Sequence, residues 1–281
     1  MIVYQGVQGA YSHLACQHVF PQREAAACET FIEAMQAVEQ GRANLAMIPV
    51  ENSTAGRVEE IYRLIPKMSL HIVGEHFEPV NHCLLALPNA TLDSIKSVGS
   101  HPQALAQCNN HIAELTLAEM AKLDTAGAAR EVSQSGDLSQ AAIASSLAAE
   151  LYGLNVLKDN FQDEQGNTTR FIILSHTEQL PVFEPQKLYI TSLIFRVRNI
   201  PAALYKALGG FATNGVNLVK LESYMPGGRL NASQFHADIE GHLSMQSMAL
   251  ALEELAFFAE EIRILGTYEA HPFRTSASFH E

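Results

Sequence analysis

Positive charge is scarce in this chain. It carries 18 lysines and arginines against 30 aspartates and glutamates in 281 residues, a formal net charge of −12. That balance argues against non-specific binding to nucleic acid or to an anionic membrane surface. An acidic ligand would therefore have to be captured by local positive features. Cysteine is sparser still: Cys16, Cys28, Cys83 and Cys108 show no CxxC spacing, so neither a zinc site nor a disulfide framework is signalled. No apolar run approaches the roughly 20 residues of a membrane span. Met1 to Gly6 have no basic region followed by an apolar core, so no signal peptide is expected and the chain reads as cytoplasmic. The 12 histidines show no HExxH or other ligand spacing, and no metal site is expected. What remains, 47% hydrophobic and 17% charged, suits a soluble globular protein of one large or two ordinary domains.

The stretch that organises the chain is Asn167-Thr168-Thr169-Arg170-Phe171, which runs into the apolar Ile172-Ile173-Leu174. Arg170 offers a planar fork of donors suited to a carboxylate, and Thr169 a hydroxyl that donates or accepts. On these residues alone two readings stand: a site for an anion held on a rigid strand, or a Thr/Asn turn before a strand with a surface arginine.

From residue 1 to about 75 strands and helices alternate. Ile2-Val3-Tyr4 breaks into Gly6-Val7-Gln8-Gly9-Ala10-Tyr11-Ser12 before a helix, either a plain turn or an anion site without GxGxxG spacing. Thr30-Phe31-Ile32-Glu33 predicts a capping box, with Gly41 closing that helix. Leu45 to Val50 is a continuous apolar run, expected as a buried strand. It ends in Glu51-Asn52-Ser53-Thr54 before an amphipathic stretch from Val58, so the polar cluster either caps a helix or binds an anion at its start.

A second α/β unit is expected from about residue 78 to 160. Within it Ser100 is predicted to cap a helix that has Pro102 in its first turn and Gln103 closing a capping box. Gln107 has no capping role to explain it. Asp124 or Thr125 opens a further helix, and Ala141 to Ala144 a small-residue strand. Two α/β lobes with the chain crossing back suggest a cleft for a small ligand.

Five segments occur here in the order found in prephenate dehydratases: Gly6-x-x-Gly9-Ala10-Tyr11-Ser12, Ile48-Pro49-Val50-Glu51-Asn52-Ser53, Ser100-His101-Pro102-Gln103-Ala104-Leu105-x-Gln107-Cys108, Asp124-Thr125-Ala126 and Asn167-x-Thr169-Arg170-Phe171. The resemblance implies an α/β fold with a two-lobed catalytic domain like the periplasmic binding proteins. It implies a catalytic domain over 1–178 (lobe 1 about 1–77 and 165–178, lobe 2 about 78–164) and a linker over 179–187. The family's site residues fall on Asn52, Ser100, Gln107, Thr169 and Arg170, with Thr169 and Arg170 as catalytic candidates. Ser12, Ser53 and Thr125 in the matched segments join the substrate-binding set. The implied reaction is loss of water and carbon dioxide from prephenate to give phenylpyruvate, with no metal or redox cofactor. Arogenate, whose ammonium would pair with Glu51, and a non-catalytic acid sensor stay open as alternatives.

Beyond residue 188 the pattern becomes βαββαβ, the ferredoxin-like order. It resembles the ACT regulatory domain of many prephenate dehydratases, here expected over 188–270 with a tail over 271–281. The resemblance implies an allosteric L-phenylalanine site at Asn199, Ala202, Ala203, Leu204, Asn214, Glu222 and Ser223, and a homodimer or homotetramer. The family's Pro-Gly-Ala-Leu is here Pro201-Ala202-Ala203-Leu204. Its Leu-Glu-Ser-Arg-Pro is here Leu221-Glu222-Ser223-Tyr224-Met225, with Pro226 one place later. A turn at Pro226-Gly227-Gly228 and a strand from Asn231 are expected to follow.

Overall fold

The computed structural model describes residues 1–198, 200–224 and 234–276; Asn199, Met225, Pro226, Gly227, Gly228 and Asn231 lie outside the described residues. The chain opens with β1 (Ile2–Gln5), α1 (Tyr11–Val19), β2 (Ala25–Cys28), α2 (Phe31–Glu39) and β3 (Leu45–Asn52). Then come β4 (Gly56–Arg57), α3 (Glu59–Leu64), β5 (His71–Pro79), β6 (Cys83–Ala86) and β7 (Ser97–Ser100). The middle of the chain forms α4 (Pro102–Gln107), α5 (Asn109–Glu114), β8 (Ala118–Ala121), α6 (Thr125–Ser135), β9 (Gln140–Ala144), α7 (Ser146–Tyr152) and β10 (Asn155–Lys158). The rest comprises β11 (Thr168–Ser175), β12 (Tyr189–Val197), α8 (Ala203–Thr213), β13 (Leu218–Tyr224), β14 (Gln234–Glu240), α9 (Gln246–Phe258) and β15 (Ala259–Glu269).

Local chemistry explains many of these boundaries. Asp124 caps α6 by accepting the Gly127 N–H at 2.6 Å, and Ser145 caps α7 by accepting that of Ala148 at 3.2 Å. Thr30 accepts the Glu33 N–H at 3.2 Å, while the Glu33 carboxylate reaches back to the Glu29 N–H at 2.9 Å. Two expected caps are wrong. Ser100 is the last residue of β7, and α4 is capped by His101, whose Nδ1 accepts the Gln103 N–H at 3.2 Å. Ser53 and Thr54 sit in a turn between β3 and β4, and α3 begins only at Glu59, with Val58 at its cap. No helix start lies at Ser53, so the positive potential expected there is absent.

Three sheets result. One has the order β2-β1-β3-β11-β5 with β4 on β3; the second is mixed, in the order β10-β6-β9-β7-β8; the third is β13-β14-β12-β15. The third is antiparallel throughout and carries α8 and α9, which is the ferredoxin-like arrangement expected from the sequence. The chain divides into two compact units: Met1–Ala34, Met47–Gly56 and Phe77–Phe171, and Met35–Ala46, Arg57–His76 and Ile172–Glu281. In the first, alternation along the strands of the mixed sheet gives two cores. Leu84, Ile143, Leu105 and Phe161 fill one; Leu85, Ala142, Ala129 and Ala148 fill the other. In the second, Leu193, Phe195, Phe235, Phe211 and Leu255 pack beneath α8 and α9.

The second unit also anchors segments that read as irregular. The Tyr189 hydroxyl donates to the Val182 carbonyl at 3.0 Å, fixing the proline-rich run before β12. After β15, Arg274 forms a two-pronged ion pair with Glu75 (Nε–Oε1 2.6 Å, Nη2–Oε2 2.8 Å), both groups being buried. Truncating one partner would strand a buried charge. Arg274→Ala is therefore expected to lower stability by about 3 kcal/mol in urea unfolding; a loss below about 1 kcal/mol would show that the pair is not holding the segment.

Candidate active site

The site is built where β3 and β11 lie side by side in the first sheet. Asn52 is the last residue of β3, and Thr169 the second of β11. The Asn52 amide is fully committed. Its Oδ1 accepts the N–H groups of Thr54 (3.0 Å) and Ala55 (2.8 Å), while Nδ2 donates to Asn167 Oδ1 (2.7 Å) and Thr169 Oγ1 (2.9 Å). Two backbone donors on one atom fix which end is oxygen. All four hydrogen-bonding capacities of Asn52 are thus used within the chain. A direct contact of Asn52 with substrate, as expected from the sequence, would have to displace one of these hydrogen bonds.

Because the Thr169 oxygen accepts from Asn52, its own proton is left to donate elsewhere. Neighbouring residues on a strand project to opposite faces, and Thr169 is half-buried where Arg170 is 3% exposed. The Arg170 guanidinium lies 3.1 Å from Glu51 Oε1, on β3. Ser53 accepts the Thr168 N–H at 3.0 Å, and the Ser53 N–H donates to the Thr168 carbonyl at 2.9 Å, which pins the turn to β11.

Beside this network is a cavity of about 340 Å³ lined by Ser53, Thr54, Gln107, Gln162, Glu164 and Asn167, among others. It brings together two of the expected residues, Ser53 and Gln107. Ser100 is not among the residues lining it: it is 0% exposed and its hydroxyl donates to the Ile143 carbonyl at 2.6 Å, a strand-to-strand tie. Ser12 and Thr125 are half-buried in the first turns of α1 and α6 and are not among the residues that line this cavity. Sequence reading missed Tyr11, His82, Gln162 and Asp163, whose hydrogen bonds frame Gln107. Tyr11 and His82 are partnered across 71 positions, so no local spacing reveals them.

Among the regulatory candidates, Ala202 stands at the cap of α8 with φ +59°, the left-handed region that costs an L-residue about 1 kcal/mol. Asn214 closes the same helix and spends its amide donors on the Gly210 carbonyl (2.7 Å) and Glu254 (2.9 Å). At 1.5 Å per residue the helix holds Ala202 and Asn214 about 18 Å apart, too far for one amino-acid ligand in one copy to touch both. Glu222 pairs with Arg57 at 2.7 Å, and Arg57 also meets the Ser223 carbonyl at 3.4 Å. Ala203 is buried and Leu204 packs on the core below.

The four cysteines are buried and form no disulfide; burial pushes Cys16 and Cys108 up to about 12, so neither presents a thiolate.

The family model for prephenate dehydratase matches residues 2–179. The chain belongs to the prephenate dehydratase family. It is 50% identical over 275 residues to the bifunctional N-acyl-homoserine lactone acylase/prephenate dehydratase of Komagataeibacter europaeus, covering 98% of this chain and 97% of that one. To arogenate dehydratase/prephenate dehydratase 1 of Arabidopsis thaliana it is 41% identical, over 95% of this chain and 71% of the relative. The prephenate dehydratase of Arthrobacter aurescens, solved in complex with L-Phe, superposes with a TM-score of 0.88 at 30% identity, covering 98% of this chain and 92% of that one. The chain is thus a lyase-type enzyme of the prephenate and arogenate dehydratase family. Among the described residues no helix is long and apolar enough to cross a membrane.

Two stability effects follow for this family member. Burial lowers the pKa of His13, His82 and His271, so folding disfavours their protonated forms. As pH falls through the ordinary imidazole value of about 6.5 the unfolded state binds more protons, and stability falls; more than about a unit above it these groups contribute no slope. Melting temperature is expected to drop between about pH 7.5 and about pH 5.5, and a flat profile would contradict the assignment. Ala202→Gly removes the left-handed alanine and is expected to raise stability by up to about 1 kcal/mol, read by thermal unfolding; a loss of stability would contradict the strain.

Proposed function

We propose that the chain converts prephenate to phenylpyruvate, with Thr169 as the proton-donating group. Prephenate is a dianion whose 4-hydroxyl leaves as water once protonated. The bond to the ring carboxylate breaks, carbon dioxide departs, and its electron pair enters the ring as the C–O bond opens, making the ring aromatic. The chemistry needs a donor at the hydroxyl and positive groups at the carboxylates. The observation that carries the reading is the Asn52–Thr169 hydrogen bond of 2.9 Å, which occupies the Thr169 oxygen as acceptor and directs its proton outward. Ser53 and Gln107 offer neutral contacts in the adjoining cavity. In this reading a substrate carboxylate reaches Arg170 by replacing Glu51, and the freed Glu51 is the partner an arogenate ammonium would take.

The C-terminal βαββαβ region acts, in the same proposal, as an ACT domain over 188–270 after a catalytic domain over 1–178. Phenylalanine bound there between copies of the chain suppresses turnover. The separation of Ala202 from Asn214 favours a site shared by two copies. A second reading, hydrolysis of N-acyl-homoserine lactones, rests on the 50% identity to the bifunctional Komagataeibacter europaeus enzyme. It is tested by following release of homoserine lactone.

The direct test is phenylpyruvate absorbance on adding prephenate, with and without L-phenylalanine; arogenate, whose dehydration gives phenylalanine, is followed by its own disappearance. Turnover of prephenate is expected, and Thr169→Ala should lower kcat at least about 100-fold, or about 2.7 kcal/mol of barrier. Undiminished turnover in the variant sinks the role of Thr169. Turnover indifferent to phenylalanine sinks the regulatory half.

A further inference from the structure

Three side chains of the first unit form a chain that ends at the cavity. The Tyr11 hydroxyl oxygen lies 2.7 Å from the Asn81 carbonyl and 3.0 Å from His82 Nδ1, and His82 Nε2 lies 2.9 Å from Gln107 Oε1, an atom whose identity as oxygen or nitrogen is settled only by its partners. His82 is 2% exposed and clamped on both sides: its N–H donates to Gln162 Oε1 at 2.9 Å, and its carbonyl accepts the Phe161 N–H at 2.7 Å. Gln107 is held likewise, its carbonyl accepting the Asp163 N–H at 2.8 Å.

Counting hydrogens decides the orientation of the amide. A phenol carries one hydrogen, and a backbone carbonyl only accepts, so the hydrogen between Tyr11 and Asn81 belongs to Tyr11. The Tyr11 oxygen then shows only lone pairs to His82, and Nδ1 must carry the ring's hydrogen. In a neutral ring Nε2 is then bare, and its partner must be the NH₂ end of Gln107. Amide nitrogen and oxygen are told apart only by such partners. With the Tyr11 hydrogen on the Asn81 carbonyl, Gln107 Oε1 facing Nε2 needs hydrogen on both ring nitrogens; burial, the larger effect on His82, disfavours that charge, and the Gln107 contact opposes it only in part.

The geometry points to His82 as a positioning residue: fixed in one tautomer by Tyr11, it turns the Gln107 amide so that its carbonyl oxygen faces the cavity and accepts a hydroxyl of the substrate. The inference rests on the proposed dehydration. Prephenate with both carboxylates ionised has a single O–H donor, its 4-hydroxyl. A Gln107 oxygen that takes this hydrogen leaves the hydroxyl's lone pairs for Thr169, which orients the leaving group for protonation.

The experiment is nitrogen-15 NMR of histidine-labelled protein at neutral pH, with the His82 resonances assigned by their loss in His82→Gln. The wild type is expected to show a neutral ring with hydrogen on Nδ1. Tyr11→Phe keeps the ring and removes the lock. In it His82 should move its hydrogen to Nε2, the Gln107 amide should turn over, and kcat on prephenate should fall about tenfold with KM nearly unchanged. A purely structural Tyr11 would move neither the tautomer nor kcat selectively. Hydrogen on Nε2 in the wild type, or a Tyr11→Phe enzyme with wild-type kcat, overturns the inference. The tautomer is read without substrate, so a wild type inactive on prephenate would defeat the dehydration reading while leaving the orientation of Gln107 to be judged separately.

Discussion

The site depends on one side-chain amide. Asn52 ends β3 with every hydrogen-bonding capacity engaged: two backbone N–H groups on its oxygen, Asn167 and Thr169 on its nitrogen. The first pair holds the turn that follows; the second joins it to β11. A hydroxyl placed this way is held by a strand on one side and an anchored amide on the other, so its position costs little reorganisation when charge develops nearby. The Glu51–Arg170 pair, one residue before Asn52 on β3 and one after Thr169 on β11, keeps the guanidinium neutralised inside the sheet. A chain with net charge −12 has few cations to spare, and it holds this one buried against a carboxylate.

The polar ends of β3 and β11 were legible because each follows or precedes an unbroken apolar run, and Asp124 was legible, beside Thr125, as a cap because its partner lies three residues on. Ser100 misled for a local reason. Pro102 begins α4, which leaves His101 extended as its cap and makes Ser100 the end of a strand. Gly56 hid the β3–β4 turn behind what read as a helix approach. β5 was not legible at all: Gly74, Glu75 and His76 break its apolar pattern, and the partner that makes Glu75 tolerable there is Arg274, 199 positions away. The same distance problem hid Tyr11 and His82, since a tautomer is set by contacts and not by spacing.

The C-terminal region shows how a fold can be read while its ligand chemistry is not. The order of strands and helices fixes the ferredoxin-like sheet. Yet Ala202 takes a left-handed backbone without glycine, and Glu222 and Asn214 are engaged with Arg57 and Glu254. A ligand arriving at these residues would have to compete with those contacts, which makes Arg57 part of any response.

The most direct measurement of the central claim is a double-mutant cycle on kcat/KM for prephenate with Asn52→Ala, Thr169→Ala and both together. If Asn52 acts by holding the Thr169 hydroxyl, the double variant will be no slower than Thr169→Ala alone, with a coupling of about 1–3 kcal/mol. Additive losses, within about 0.5 kcal/mol, would mean that the two residues act separately and would contradict the account.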